Sequence, residues 1–133
     1  LDYLRVRLSN KIDIRLEQPT VSYPVPHNIA LMEWVIENIT KNAVDAMEGV
    51  GTLTVRFEKE GAWINIELED TGKGLLPNQF KTIFQPGYST KKRGWGLGLS
   101  LAKRIIESYH KGKIYVLRSE LGKGTTFRIS LPL

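Results

Sequence analysis

Between Lys11 and Glu17 the chain alternates one for one, with Ile12, Ile14 and Leu16 set against Lys11, Asp13, Arg15 and Glu17. Period two predicts a strand with one buried face, and Pro19 stops it. Ahead of it, Leu1, Leu4 and Leu8 stand at helical spacing, so residues 1–11 read as the end of an incoming helix or a linker. Val21-Ser22-Tyr23 is a short extended piece before Pro24 and Pro26. The period then changes. From Asn28 to Glu48, Ile29, Met32, Ile36, Ile39, Ala43 and Met47 recur at three and four, predicting the longest helix, which Gly49 and Gly51 end.

Alternation returns over Thr52–Glu58, with Leu53, Val55 and Phe57 on one face, and over Ala62–Glu69. Glu60-Gly61 between them is a hairpin turn signal. Pro77–Phe84 reads as one or two helical turns. Gln85–Leu99 has little apolar periodicity, five glycine or proline breaks and a basic cluster, Lys91-Lys92-Arg93. A loop that long in a small domain is usually functional. Ser100–Tyr109 reads as a helix with Leu101, Ile105, Ile106 and Tyr109 inward, capped by Gly112. Lys113–Ser119 and Thr125–Leu131 are strands joined by the hairpin Leu121-Gly122-Lys123-Gly124.

Composition narrows this picture. The 133 residues suit one domain with its own core. With no cysteine, disulfides and thiolate metal sites are excluded. No apolar run reaches membrane-spanning length and no signal peptide is visible, so this piece does not span a membrane. A first residue Leu1, rather than Met, reads as a cut from something longer. The net charge of +5 favours an anionic partner: nucleic acid, nucleotide or acidic protein.

Candidate chemistry gathers at three places. Asp70-Thr71-Gly72-Lys73-Gly74 follows a strand directly. Its glycines allow a positive φ and a close backbone approach, and its carboxylate can accept a hydrogen bond from an amino group. By itself it is also an ordinary strand-end turn. On the long helix, Asn38, Asn42 and Asp45 fall within about 60° of one another, flanked by Lys41. Amides and an acid on one face suit a hard cation such as Mg2+, which takes few protein ligands. Gly94-Trp95-Gly96-Leu97-Gly98-Leu99-Ser100 runs into a helix, an arrangement that offers backbone N–H groups to an anion. Its spacing is neither a P-loop nor a dinucleotide fingerprint.

These motifs carry a resemblance. Asn38-Ile39-Thr40-Lys41-Asn42-Ala43 resembles the N box of sensor histidine kinases, and Asp70-Thr71-Gly72-Lys73-Gly74 their first glycine box. Phe84 with Pro86 is similar to their F box, Gly94–Leu99 to their second glycine box, and Gly122-Lys123-Gly124-Thr125 to the closing glycine turn. The five occur in the family's order and span residues 12 to 133. The resemblance is to the catalytic ATP-binding domain of the GHKL superfamily, the Bergerat fold.

What the resemblance implies is an α/β two-layer sandwich: a mixed sheet of about five strands, three helices on one face, and a lid over about residues 75–99. ATP and Mg2+ are the implied cofactors. Asp70 would take the adenine amino group, Thr125 would support the base through a water, and Gly72 and Gly74 would give it room. Asn38, Lys41 and Asn42 are the implied catalytic residues, with Asn38 and Asn42 also at the metal. Phe84, Thr90, Lys91, Arg93, Gly94, Gly96, Leu97, Gly98 and Leu99 would meet the nucleotide as the lid closes. The implied function is transfer of the γ-phosphoryl group to a His on a separate dimerisation domain, and onward to a response regulator receiver domain. The implied location is cytoplasmic, whether or not the parent is membrane-anchored, with no nucleic-acid partner.

Two residues depart from the family's pattern: Trp95, where a small residue is usual, and Asp45, where many kinases carry Lys. Three rival readings meet specific residues. Gyrase-type and chaperone relatives place a catalytic Glu four residues before the helix Asn; that position here is Asn38, and Glu37 beside it points elsewhere on the helix. Asp70-Thr71-Gly72 matches the aspartic protease triplet, but that chemistry needs a second carboxylate and the chain has no second triplet. A non-catalytic nucleotide-sensing module remains the alternative outside enzymes.

Overall fold

The structure, a computed structural model, describes residues 12–17, 29–86 and 98–132. The helical spacing at 1–11, the extended piece at 21–23, His27 and residues 87–97 lie outside them. Strand β1 (Ile12–Glu17) lies parallel to β2 (Gly51–Glu60), and helix α1 (Ile29–Ala46) stands between them in sequence. β2 turns through Gly61, at φ 62°, into antiparallel β3 (Trp63–Asp70). Two 3-10 turns follow, Pro77–Gln79 and Thr82–Phe84. Helix α2 (Gly98–Arg104) leads into β4 (Lys113–Glu120) and β5 (Gly124–Pro132), and β5 inserts between β3 and β4. The strand order is β1-β2-β3-β5-β4, a mixed five-stranded sheet.

Period two makes the core. Val55 stands opposite Leu68, Leu68 opposite Phe127, and Phe127 opposite Val116, one apolar row across four strands. The next row runs Ile66, Ile129, Ile114. All of these residues are buried in one cluster with the helices. The other face of the sheet is ionic: Glu67 accepts from Arg128 Nε at 3.1 Å and also pairs with Arg56. A layer of helix over one apolar sheet face is the sandwich the motifs implied.

Two helices depart in phase from the sequence reading. On α1 the buried stripe is Met32, Val35, Ile39, Ala43 and Met47; Ile36 is only half-buried. On the later helix, Leu101 and Tyr109 point outward, Tyr109 being 68% exposed, while Ala102, Ile106 and His110 are buried. For Tyr109 and His110 the cause is the last turn, Ile105–Tyr109, which is π-helical; Leu101 stands in the regular helix before it. A wider turn changes which residue comes round to the core, and it brings His110 under the helix instead of Tyr109. Nor is Gly112 the left-handed cap. Lys111 takes that conformation at φ 56°. Gly112 donates to Ile106 O at 2.9 Å and lies where a Cβ would stand 2.4 Å from Ser130 O.

Candidate functional site

β3 ends at Asp70, and the turn after it is clamped from two sides. Lys73 N donates to Ala46 O at 3.0 Å, at the C-terminus of α1, and Gly122 N donates to Lys73 O at 2.9 Å from the β4–β5 hairpin. A Cβ on Gly72 would stand 2.7 Å from the Ala46 carbonyl. One on Gly74, at φ 78°, would stand 2.1 Å from Glu120 O. The space these glycines leave is therefore filled by backbone of the helix and the hairpin. Thr71 adds a third tie, its Oγ1 accepting from Thr52 N at 3.0 Å.

The clamp fixes a carboxylate. Asp70 is 3% exposed. Gly72 N and Thr125 N donate to its Oδ1 at 2.9 and 3.2 Å. No described residue donates to Oδ2. Burial pushes the carboxyl above its ordinary range; the two backbone donors pull it back, and Glu69 beside it adds to the rise. One oxygen is committed to protein and the other has no donor among the described residues.

Thr125, buried beside Asp70, has its hydroxyl 2.7 Å from Ser119 Oγ. Ser119 also accepts from Leu75 N at 2.7 Å and donates to Gly124 O at 3.0 Å. The sequence reading passed over Ser119. A signal existed: a tight hairpin at 121–124 sets Ser119 opposite Thr125 in register.

The polar face of α1 runs between two contacts. At Ala46 it meets the Asp70 turn; at Asn38 it meets α2, since Asn38 Oδ1 stands 3.0 Å from where a Cβ on Gly98 would be. Eight residues separate them, about 12 Å of helix. Asn38 Nδ2 donates to Trp34 O at 2.8 Å, which leaves its Oδ1 as the atom turned toward Gly98. Asn42 is half-buried one turn on. Lys41 pairs with Glu37 at 3.3 Å, and Asp45 is exposed. Thr40, on the same helix, is 2% exposed with no hydrogen-bond partner for Oγ1 among the described residues.

Of the lid read over 75–99, the first part is anchored. Leu75 is tied to Ser119, Ile83 and Phe84 are buried, and Phe84 meets Phe127 edge-on at 6.1 Å. Lys103 Nζ lies 5.4 Å from the Phe84 ring centroid. Gly98 and Leu99 open α2. Thr90, Lys91, Arg93, Gly94, Gly96 and Leu97 lie outside the described residues. No cluster of three or more His, Cys, Asp or Glu that could hold a metal occurs among the described residues.

Comparison with known proteins adds to this geometry. Residues 27–133 match the family described as histidine kinase-, DNA gyrase B- and HSP90-like ATPase. Sporulation kinase C of Bacillus subtilis (strain 168) is 38% identical over 102 residues, 77% of this chain and 23% of that protein. Sensor histidine kinase ZraS of Escherichia coli (strain K12) is 39% identical over 99 residues, 74% of this chain and 21% of that protein. This chain thus spans under a quarter of the length of these relatives. The nucleotide-free catalytic domain of histidine kinase ThkA matches with a TM-score of 0.82 at 26% identity, over 98% of this chain and 83% of that one.

Proposed function

This chain belongs to the family of histidine kinase-, DNA gyrase B- and HSP90-like ATPases, and from that premise we propose that it is the ATP-binding catalytic domain of a sensor histidine kinase. The observation that carries the reading is the Asp70 carboxylate, buried, pinned through Oδ1 by two backbone donors and with no donor to Oδ2 among the described residues. Oδ2 accepts the amino group of adenine. Thr125, beside it, supports the base. The α1 face from Asn42 to Asn38 lies along the phosphates, with Gly98 at the start of α2 beside Asn38.

Mg2+ fits this face as an ion carried mainly by the nucleotide. The donors are amide oxygens, and Asn38 spends its Nδ2 on Trp34 O, so an oxygen is what remains. When bound, the ion neutralises charge on the phosphates. Asn38, Lys41 and Asn42 orient the γ-phosphoryl group for an acceptor imidazole on a separate helical domain of the parent. There the bond from phosphorus to the β–γ bridging oxygen breaks and a phosphorus–nitrogen bond forms. A response regulator then receives the group, on the cytoplasmic side of the parent. Attack by water is disfavoured because Asn38 cannot act as a base and Glu37 is engaged by Lys41.

Asp70→Asn tests the reading. Its amide oxygen still accepts from Gly72 N and Thr125 N, but its NH2 faces the adenine amino group, donor against donor. Removing that charge-assisted bond weakens ATP about 10- to 150-fold in calorimetry. GTP, with a carbonyl at that position, binds the native chain poorly. Equal affinity for ATP and GTP would remove Asp70 from base recognition.

A further inference from the structure

Ser119 makes more contacts around the base site than its own position in a strand requires. Its single hydroxyl meets three groups on two segments: Leu75 N at 2.7 Å after β3, and Gly124 O at 3.0 Å and Thr125 Oγ1 at 2.7 Å on β5. A hydroxyl has one hydrogen and two lone pairs. Leu75 N–H takes one lone pair. If the hydrogen goes to Gly124 O, Thr125 must donate into the second lone pair, and Thr125 then has only lone pairs to offer outward. If the hydrogen goes to Thr125 Oγ1, the Thr125 hydrogen is released outward. The polarity of the Thr125 hydroxyl is thus set at Ser119, six residues away in sequence and directly opposite in register.

We propose that Ser119 is a positioning residue for base selection: it fixes whether the Thr125 hydroxyl donates or accepts beside Asp70, and ties that choice to the start of the 75–86 segment. The proposal rests on the adenine reading of Asp70. It adds that the site reads two edges of the base, one through a carboxylate that only accepts and one through a hydroxyl whose direction is preset. Thr125 N holds Asp70 Oδ1 at the same time, so both elements move as one unit. Gly124 keeps the unit tight: a Cβ there would stand 2.0 Å from Asp70 O.

The test compares ATP, ITP and GTP by displacement of a fluorescent ATP analogue from the native chain, Ser119→Ala, Ser119→Thr, Thr125→Val and the double variant. Ser119→Ala frees the Thr125 hydroxyl to turn either way. The preference for ATP over ITP and GTP then falls about threefold to tenfold, the scale of one neutral hydrogen bond. Ser119→Thr restores it, because the hydroxyl is kept. With Thr125→Val already present, Ser119→Ala changes the preference no further. A fall in melting temperature with the three affinities lowered in equal proportion would make Ser119 a purely structural link and overturn the proposal. Native chain that binds no adenine nucleotide would instead overturn the reading of Asp70, and this one with it.

Discussion

At the scale of single residues, Asp70 couples protons to both folding and ligand. Its carboxyl titrates higher in the folded chain than the ordinary value of 3.8. For an acid this sign means that the folded state binds the proton more tightly than the unfolded one. The group therefore lowers stability above its folded pKa, and the penalty disappears as pH falls below 3.8. Nucleotide responds the other way, because the adenine amino group needs the ionised acceptor. ATP affinity falls as pH drops through the raised pKa, by up to about tenfold per pH unit below it. Calorimetry from neutrality down to about pH 4 checks this. Asp70→Asn serves as the control, since phosphate titration persists in it and the carboxylate contribution is gone. A native profile parallel to that of the variant would show that Asp70 does not titrate with the base.

Elements differ in how far the sequence exposes them. The strands were legible because each buries one face, so alternation survives into the structure: Val55, Leu68, Phe127 and Val116 form one row. The last helix was legible in its extent but not in its phase. Periodicity of 3.6 assumes a regular helix, and the π turn at Ile105–Tyr109 breaks that assumption with no residue that announces it. The glycines of the Asp70 turn were found, but their neighbours were invisible, because Ala46 and Glu120 are brought there by tertiary packing. That contact makes a prediction. Gly74→Ala combines a positive φ with a backbone clash and should cost about 2–4 kcal/mol in urea unfolding. Gly61→Ala has a similar φ and nothing within 4 Å of the new Cβ, so about 1 kcal/mol is expected. Equal losses would mean that the hairpin yields and the clamp is soft.

For the whole molecule, the division of labour rests on His110, the histidine among the described residues. His110 is 4% exposed, its Nδ1 lies 3.0 Å from Ile105 O, and it is packed beneath a helix. It offers no imidazole to an in-line attack. Incubated with γ-labelled ATP and Mg2+, the isolated chain should bind nucleotide, acquire no acid-labile label and release phosphate slowly. Adding the parent's His-containing domain in trans should restore labelling weakly, since the tether's effective concentration is lost. Label on the isolated chain would place the acceptor within it. Rapid phosphate release would move it toward the ATPase branch of its family. The motif order was enough to read this architecture from sequence, because the first glycine box follows the end of β3, the second leads into α2 and the closing turn joins β4 to β5. Which hydroxyl sets the direction of another was not legible, because it depends on a register that only the folded hairpin fixes.

The Thr125–Asp70 bond has a consequence for the order of assembly. It joins residues 55 apart, and β5 must insert between β3 and β4 before it can form. Loop closure over such a distance is among the slower events in folding a sheet. A nascent chain that ends before β5 can already hold the β2–β3 hairpin, yet its Asp70 lacks the Thr125 donor and its base pocket lacks a wall. Nucleotide therefore cannot template the early stages of folding. It can only arrest the reverse step, holding the finished C-terminal hairpin in place by about 2.7 kcal/mol at a hundredfold excess over Kd. Cellular ATP would act on this domain as a latch against fraying from its C-terminus, and the same carboxylate that recognises the base would set the domain's lifetime.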